Sequence, residues 1–422
     1  MTATPADSRS QRADAGAHVR GLKCKECGQR TPAEPLHVCP ACFGPLEVEY
    51  DYDLLARLVT RERIEAGPRN LWRYRDLLPV ATPITGFHSG WTPLRRAQRL
   101  AAALGCRELY LKDDSANYPT WSYKERVVSV ALSKAVEFGF DTVGCASTGN
   151  LANSVAAHAA GAGLKCVVFI PHDLEQGKVL GSLVFGPQVV RVKGNYDDVN
   201  RLCTQVADHY GWAIVNVNLR PYYTEGAKTY GFEIAEQLGW TLPQHVVCPV
   251  AGGTILPKID KAFRELVTLG LVSDTPCRFW AAQAAGCDPV VDAIRRGTDE
   301  VIPQKPRTLA RSIAIGNPAD GFDAARVAQR TGGGGESVTD DEIVEAIRLL
   351  ARTEGIFTEP AGGTTLAVAK KLIDQGRIPR DETVVICITG NGLKTLEAVD
   401  SQLPFPEPID AKLAAVQSVL GR

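Results

Sequence analysis

The chain has 422 residues, of which 45% are hydrophobic and 23% are charged, and its formal net charge is −1. This composition is ordinary for a soluble globular enzyme, and the length predicts two or three domains. The balanced charge excludes a global field that would draw the chain to nucleic acid or anionic lipid. No apolar stretch approaches the roughly 20 residues that are needed to span a bilayer. We therefore expect neither a nucleic-acid partner nor a membrane partner.

The N-terminal residues 1–20 are rich in Ala, Ser, Thr, Asp and Arg and contain no apolar run. This pattern is not that of a secretory signal, and it predicts a disordered tail. We expect a cytoplasmic protein, in which the twelve cysteines are mostly thiols or metal ligands.

Residues 21–50 contain two Cys-x2-Cys pairs that are separated by eleven residues. The four cysteines are Cys24, Cys27, Cys39 and Cys42. Two such pairs can bring four thiolates to one tetrahedral ion, so the spacing predicts a structural zinc ribbon. A pair of disulfides is the alternative, and it suits the cytoplasm poorly. His37 lies between the pairs and is expected to be a bystander. A short, loop-rich segment cannot bury a core, so bound metal would stabilise its fold.

The rest of the chain begins with residues 51–105, which predict connecting helices, and then alternates short apolar strands with helical patterns. This alternation indicates parallel sheets that are covered by helices on both faces. The glycine run at 331–335 is predicted to be a break in regular structure. The predicted strands are Glu108–Lys112, Asp141–Ser147, Lys165–Pro171, Gln188–Lys193, Trp212–Asn218, His245–Val250, Arg278–Ala284 and Thr383–Thr389.

Lys124 follows a tight turn in the run Asn117–Arg126 and opens a helical pattern. A lysine amine at such a place can form a Schiff base with a carbonyl compound when it is neutral. Burial beside a cofactor favours the neutral form, because desolvation penalises the cation. For an isolated lysine, a solvated surface position would be the alternative.

Two polar loops follow predicted strands, at 147–150 and at 249–254. Ligands of open α/β sheets bind beyond the carboxyl ends of the strands, and the first amides of the following helix can hold an anion. Glycines in the second loop allow close backbone approach. Taken singly, the loops could be a helix N-cap at Asn150 and a plain glycine turn. Together with a reactive lysine they are what pyridoxal phosphate needs.

These runs resemble those of threonine synthases, a family of pyridoxal-phosphate enzymes related to tryptophan synthase β subunits and to serine and threonine dehydratases. The resemblance extends from about Gly21 to Lys394 and includes the runs 220–229, 312–318 and 389–394. It implies an α/β fold of the tryptophan synthase β type, in which two doubly wound domains hold the cofactor between them. The expected units are a ribbon at 21–50, a large domain at 51–130 and 216–422, and a small domain at 131–215.

The resemblance also implies roles for single residues. Lys124 would form the Schiff base, Asn150 would bond the phenolic oxygen of the cofactor, and Thr389 would meet its pyridine nitrogen. Thr148 would receive the substrate carboxylate. The cofactor phosphate would lie on Ala251, Gly252, Gly253 and Thr254. A second anion site, for a substrate phosphate, would draw on Arg220, Lys228, Asn218 and Lys112.

The lysine motif departs from the family pattern Asn-Pro-Thr-Gly-Ser-Phe-Lys-Asp-Arg. Tyr118 is an extra residue, and Trp121, Tyr123 and Glu125 replace Gly, Phe and Asp. The implied reaction converts O-phospho-L-homoserine and water to L-threonine and phosphate. The alternatives are β-replacement on O-phospho-L-serine, dehydration of serine or threonine, and a non-catalytic relative. A small-molecule substrate and a homodimer are expected.

Overall fold

A computed structural model describes residues 16–84, 87–147, 149–172, 176–194, 196–400, 403 and 405–421. Within these residues the strands form three sheets of three, six and four strands. No helix in the described part of the chain is long and apolar enough to cross a membrane.

The first sheet belongs to the N-terminal segment. Its strands are β1 (Val19–Cys24), β2 (Arg30–Thr31) and β3 (Leu46–Tyr50), in the antiparallel order β2-β1-β3. Alternate residues of β3 are buried and half-buried, as expected for a strand with one face on a core. The sheet packs against the body of the protein, because Leu22, Val48 and Tyr50 belong to its largest hydrophobic cluster.

The segment predicted to hold connecting helices is mostly helical, but it also contains a strand. The helices are α1 (Tyr52–Leu58), α2 (Arg61–Glu65), a 3-10 helix (Leu71–Leu77) and α3 (Gln98–Leu104). The strand β4 (Leu94–Arg96) pairs antiparallel with β5 (Glu108–Asp113) at one sheet edge. Its three residues are partly or fully exposed, so they lack the apolar run that identified the other strands.

A 3-10 helix (Asp114–Ala116) and α4 (Lys124–Glu137) lead from β5 to the four-stranded sheet, whose order is β8-β7-β6-β9. All of its strands are parallel. The elements are β6 (Thr142–Ala146), α5 (Asn150–Ala162), β7 (Lys165–Pro171), α6 (Gln176–Leu183), β8 (Gln188–Val192), α7 (Tyr196–Tyr210) and β9 (Ala213–Ile214).

The strand predicted at Trp212–Asn218 was therefore too long. The side chain of Asn218 ends it, because its Oδ1 accepts from the Ile214 amide at 2.8 Å and its Nδ2 donates to the Trp212 carbonyl at 3.0 Å. A side chain that bonds nearby backbone in this way favours a turn over a sheet ladder.

The six-stranded sheet has the order β12-β11-β10-β13-β5-β4 and is parallel except for β4. Its remaining elements follow along the chain. They are α8 (Arg220–Glu225), α9 (Lys228–Gln237), β10 (His245–Pro249), α10 (Ile255–Thr268), β11 (Arg278–Ala284), α11 (Pro289–Arg295), a 3-10 helix (Arg311–Ile313), α12 (Gly321–Arg330), β12 (Gly334–Val338), α13 (Asp340–Glu354), α14 (Pro360–Asp374) and β13 (Thr383–Ile388).

The prediction of a break at 331–335 was wrong in part, since β12 starts at Gly334 and pairs with β11. A Cβ on Gly333 would lie 2.0 Å from the Phe279 carbonyl oxygen. Glycine therefore allows this edge strand to approach its neighbour, although glycine is normally depleted in strands.

The central strands β5, β13 and β10 are adjacent and parallel, so their carboxyl ends lie along one edge of the large sheet. After that edge two 3-10 helices (Gly392–Lys394 and Leu396–Ala398) and the exposed α15 (Leu413–Leu420) complete the chain. This arrangement is the predicted α/β fold, with a parallel four-stranded sheet and a six-stranded sheet that is parallel except for its edge strand β4. The predicted domain boundaries stay predictions, because strand membership alone does not define a domain edge.

Candidate active site

Lys124 is the first residue of α4 and is half-buried. Its Nζ lies 3.3 Å from the hydroxyl of Tyr223, which belongs to α8. The same nitrogen lies 5.2 Å from the ring centre of Tyr123 and 5.9 Å from that of Tyr223. The amine therefore lies between two phenol rings, with a neutral hydroxyl as its hydrogen-bond partner.

The loop that carries Lys124 is hydrogen-bonded to the loop that follows β13. The Tyr123 amide donates to the Thr389 carbonyl at 2.9 Å, and the Asn391 amide donates to the Trp121 carbonyl at 3.1 Å. Ser122 and Gly390 form an antiparallel bridge. The structure thus brings the predicted Schiff-base lysine and the predicted pyridine partner, Thr389, together at one edge of the large sheet.

Asn150 is the first residue of α5 and comes from the small sheet. Its Nδ2 lies 3.1 and 2.9 Å from the two carboxylate oxygens of Glu359. Its Oδ1 accepts from Lys394 Nζ at 2.6 Å, and the same Nζ donates to the Thr120 carbonyl at 2.8 Å. These bonds join the loop after β6 to the lysine loop, although the two sheets are separate. The neighbouring Thr148 lies outside the described residues.

The glycine turn at 251–254 connects β10 to α10, a helix of 14 residues. Gly253 has a φ of +93°, and a Cβ there would lie 2.4 Å from the Asp320 carbonyl oxygen, so only glycine fits. The Thr254 hydroxyl donates to the Asp320 carboxylate at 2.7 Å. In the described part of the chain the amides of Gly253, Thr254 and Ile255 have no hydrogen-bond acceptor. Free amides at a helix N-terminus fit a phosphate group.

Two of the cationic side chains that were predicted to bind a substrate phosphate instead form buried ion pairs with carboxylates of the protein. Lys112 lies in a buried group that we call the core ion cluster, and Lys228 lies in a second group that we call the ribbon ion cluster; neither side chain is exposed. The core ion cluster consists of Lys112, Asp114, Arg126 and Glu233. The ribbon ion cluster consists of Glu47, Glu225, Lys228, Lys258, Lys261 and Glu265.

Both clusters balance their charges, which is the condition under which buried ions are tolerated. Lys112 Nζ donates to the Thr92 carbonyl, Glu233 and Gln237. Lys228 Nζ bonds the Leu77 carbonyl and two glutamates. An ammonium group has three donors, so neither lysine retains one for a substrate. The prediction that they bind substrate phosphate is not supported by their surroundings.

The other two predicted substrate ligands have different surroundings. The Asn218 side chain forms hydrogen bonds with the backbone of Ile214 and Trp212 in its own turn. Arg220 lies at the start of α8, with its guanidinium 2.8 Å from the Asp320 carboxylate and a quarter of its side chain exposed. It lines a cavity of about 220 Å³ together with Thr254 and the ribbon residue His37. Arg220 is therefore connected through Asp320 to the glycine turn, and it shares the short helix α8 with Tyr223, whose hydroxyl lies 3.3 Å from Lys124 Nζ.

The four ribbon cysteines converge as their spacing predicts. Their sulfurs all lie within 4.8 Å of one another. Sγ of Cys24 is 3.5 Å from that of Cys42, and Sγ of Cys27 is 3.7 Å from that of Cys39. A tetrahedral zinc–thiolate site with bonds of about 2.3 Å requires sulfurs about 3.8 Å apart. All twelve cysteines are free thiols, so the alternative of disulfides is not realised, and His37 is not one of the converging ligands.

Comparison with known proteins agrees with this geometry. The family model described as "Pyridoxal-phosphate dependent enzyme" matches residues 86–390. The threonine synthase of Methanocaldococcus jannaschii is 38% identical over 402 residues, which cover 94% of this chain and 98% of that protein. The threonine synthase of Mycobacterium tuberculosis is 36% identical over 352 residues, which cover 82% and 94%.

This chain belongs to the threonine synthase family of pyridoxal-phosphate-dependent enzymes.

Solved structures support the predicted fold. Diaminopropionate ammonia lyase from Escherichia coli matches with a TM-score of 0.64 at 18% identity, over 81% of this chain and 92% of that one. The threonine deaminase isoform 2 of Solanum lycopersicum matches with a TM-score of 0.62 at 20% identity, over 73% and 87%. At such identities the likeness concerns the fold alone. A short model described as "NinF protein" matches residues 23–47, which include the four ribbon cysteines.

The departures from the threonine synthase lysine motif have visible structural consequences. Trp121 occupies the glycine position with a φ of 59°, in the region that favours glycine, and its side chain is 46% exposed. Tyr123 adds a buried hydroxyl that has no partner among the described residues. The longer Glu125 carboxylate accepts from Ser154 Oγ at 2.9 Å and lies 3.0 Å from His158 Nε2, so it bonds the neighbouring helix α5.

Sequence reasoning missed Tyr223 and Lys394, which the structure places at the candidate site. Both lie inside runs that carried the family resemblance, at 220–229 and 389–394, so the signal was present. A pattern does not show which of its residues face the candidate site, and only the folded chain places the Tyr223 hydroxyl beside Lys124 and the Lys394 amine beside Asn150.

Proposed function

We propose that this protein converts O-phospho-L-homoserine and water to L-threonine and phosphate. The observation that carries the proposal is the convergence of Lys124, Thr389 and Asn150 on hydrogen-bonded loops, in a chain 38% identical to a threonine synthase along nearly its whole length. The proposed reaction is consistent with a site in which a lysine and a glycine-rich turn suited to phosphate occur together.

Pyridoxal phosphate is the cofactor of this family, and the residues present fit it. Lys124 would hold it covalently, and Gly252, Gly253 and Thr254 would receive its phosphate on free amides. Asn150 and Thr389 would meet the polar edges of its ring. When bound, the cofactor supplies an electron sink that labilises the α-proton and assists loss of a leaving group.

Lys124 is the proposed proton carrier. Its free Nζ would take the α-proton and then a β-proton of the substrate, and would later return protons. Phosphate leaves from the γ-carbon, and water adds at the β-carbon. The Tyr223 hydroxyl, 3.3 Å away, would hold the free amine between transfers.

The leaving phosphate requires a cation. Of the four residues predicted for this role, Arg220 keeps a partly exposed charge, whereas Lys112 and Lys228 are enclosed in ion clusters. Arginine can grip phosphate with two parallel N–H bonds. Arg220 is therefore retained as the proposed phosphate-binding residue, and its pairing with Asp320 would have to open to admit the substrate.

A substrate panel tests the proposed reaction. Purified protein loaded with pyridoxal phosphate should release phosphate from O-phosphohomoserine and form threonine in equal amounts. Phosphoserine with sulfite or sulfide, serine, and threonine should give no comparable turnover. If phosphohomoserine is ignored while phosphoserine releases phosphate in the presence of sulfite or sulfide, the β-replacement alternative replaces threonine synthesis.

The ribbon is proposed to hold one structural zinc ion on Cys24, Cys27, Cys39 and Cys42. The sulfur separations support a closed four-thiolate site. Elemental analysis should give about one zinc per chain. Cys39→Ser should lower stability more than it lowers the rate per folded molecule. Metal-free protein of unchanged stability would contradict the assignment.

A homodimer is also proposed. The C-terminal segment exposes large apolar side chains, including Phe405 at 95% and Leu413 at 74%, and such exposure supports burial against a second chain. Light scattering of the purified protein should give twice the chain mass of 45.5 kDa, and a mass of one chain would refute the dimer.

A further inference from the structure

The side-chain amide of Asn150 lies between two groups of opposite charge. Lys394 Nζ is 2.6 Å from Oδ1, and the Glu359 carboxylate oxygens are 3.1 and 2.9 Å from Nδ2. These two partners come from different loops of the large sheet, whereas Asn150 opens the first helix after β6 of the small sheet.

The charges leave the amide only one orientation. An ammonium group donates and cannot accept, and an ionised carboxylate accepts and cannot donate. Oδ1 must therefore face Lys394, and Nδ2 must face Glu359. If the amide were rotated by half a turn, the donor Nδ2 would face the donor Lys394, and the acceptor Oδ1 would face the acceptor Glu359. The orientation of this amide thus follows from its partners, which is the basis on which such assignments are made.

Both charged partners are themselves held. Lys394 ends a 3-10 helix and also donates to the Thr120 carbonyl of the lysine loop at 2.8 Å. Glu359 caps α14, and its amide donates to the Gly390 carbonyl at 3.1 Å. A Cβ on Gly390 would lie 2.4 Å from the Glu359 carboxylate, so glycine allows this packing.

The surroundings of Lys394 also distinguish it from a surface lysine. Burial lowers its pKa, and the carboxylates of Glu359 and Glu125 offset part of that shift. Its two described hydrogen-bond acceptors are neutral oxygens. The described hydrogen bonds of this half-buried amine go to a carbonyl and to one asparagine. Because burial makes unpaired polar groups costly, we expect the amine to keep these two bonds in preference to bonds with solvent.

We propose that Lys394 is a positioning residue that, with Glu359, fixes the amide of Asn150 so that Nδ2 presents its second N–H to the phenolic oxygen of pyridoxal phosphate. The inference rests on the proposed cofactor site. Nδ2 has two hydrogens, and Glu359 occupies one direction, so the other remains for the cofactor. If Lys394 is removed, Glu359 alone restrains the amide, so the orientation that presents Nδ2 to the phenolic oxygen is held less tightly.

The test uses the full-length protein and pyridoxal phosphate alone, without substrate. Lys394→Met should weaken cofactor binding about tenfold, as expected for the loss of one hydrogen bond to a charged oxygen. It should also change the visible absorbance of the bound cofactor. Lys394→Arg, which still donates, should restore both. Lys371→Met is the matched control, because Lys371 also donates to a backbone carbonyl, that of Ser337 at 2.9 Å, and lies in the last turn of α14, at the opposite end of that helix from Glu359.

A double variant separates positioning from other roles. If Lys394 acts only through Asn150, Lys394→Met combined with Asn150→Ala should bind the cofactor no more weakly than Asn150→Ala alone. Additive losses, or a Lys394→Met variant with normal cofactor binding and normal absorbance, would overturn the inference. If the wild-type protein binds no pyridoxal phosphate, the proposed function fails instead, so the two failures are distinguishable.

Discussion

Four lysines near the candidate site are buried or half-buried, and they form two pairs with opposite surroundings. Lys112 and Lys228 lie within hydrogen-bonding distance of carboxylates in the two ion clusters. Lys124 and Lys394 have neutral partners, a phenol hydroxyl for the first and an amide oxygen and a carbonyl for the second. From the type of partner we expect the first pair to stabilise the fold and the second pair to be available for chemistry.

The physical reason lies in donors and charge. An ammonium group that is surrounded by carboxylates has its charge compensated and its three donors used, so it stabilises the fold and attracts no ligand. An amine with neutral partners can lose its proton or give its bonds to a ligand at smaller cost. Burial alone does not make this distinction, because Lys112 and Lys228 are the more buried pair.

The comparison predicts its largest effect at Lys124. Lys124→Ala should lower turnover by about 10³-fold or more, because the group that is proposed to hold the cofactor and to carry the protons is lost. The yellow colour of the protein should also be lost. Phosphate release and visible absorbance measure these effects, and thermal unfolding should be nearly unchanged. A variant that still turns over would show that Lys124 is not the catalytic lysine.

Lys228 should show the opposite pattern. Lys228→Met leaves Glu225 and Glu265 without one of their cations, so the free energy of unfolding should fall by about 3–5 kcal/mol. Turnover per folded molecule should stay within about twofold of the wild type, because the described hydrogen bonds and ion pairs of Lys228 go to Leu77, Glu225 and Glu265, outside the proposed site. Urea unfolding and phosphate release measure the two quantities.

Lys370→Met is the matched control for that experiment. Lys370 forms an exposed pair with Asp374, and such pairs contribute only about 0.2–1 kcal/mol. If Lys228→Met keeps the stability of the wild type and raises the KM for phosphohomoserine, Lys228 binds substrate and is not a structural lysine.

The stability that the core ion cluster contributes should depend on pH through Glu233. Burial by itself raises the pKa of this carboxyl. The positive charges of Arg126 and Lys112 have the larger effect and lower the pKa from an ordinary value of 4.5 to about 2. A lowered folded-state pKa contributes stability above the ordinary value, and this contribution is lost as the pH falls towards 2. Glu233→Gln should therefore cost about 3 kcal/mol of unfolding free energy at neutral pH. The difference from the wild type should shrink as the pH is lowered below 4.5, and a constant difference would contradict the ion-cluster account.

The smallest of the expected effects tests Arg220. Arg220→Ala should weaken the use of O-phosphohomoserine by about 2 kcal/mol, in line with removal of one partner of a partly buried charged pair. Cofactor content should stay normal, which steady-state kinetics and cofactor absorbance check together. If cofactor is lost while the KM for substrate is unchanged, Arg220 serves the glycine turn through Asp320 and not the substrate.

Much of the site could be predicted because its signals are local. Lys124 at a helix start, Asn150 after β6 and the glycine turn after β10 were each readable from a short run of sequence, and loops at the carboxyl ends of parallel strands meet at one sheet edge. The four cysteines were readable from spacing alone. The edge strands β4 and β12 were not predicted, because three exposed residues and a glycine-rich run carry no hydrophobic pattern.

The sequence by itself determined the fold class, the family and the chemistry that the lysine can perform, since these depend on short motifs and on alternating patterns. Only the tertiary structure decided which charged residues are available. Lys112 and Glu233 are 121 residues apart in the chain, Arg126 and Glu233 are 107 apart, and Lys394 meets Asn150 across 244 residues. A sequence shows that a lysine is present, whereas its partner, and therefore its role, depends on which distant groups the packed chain brings to within about 3 Å of its amine.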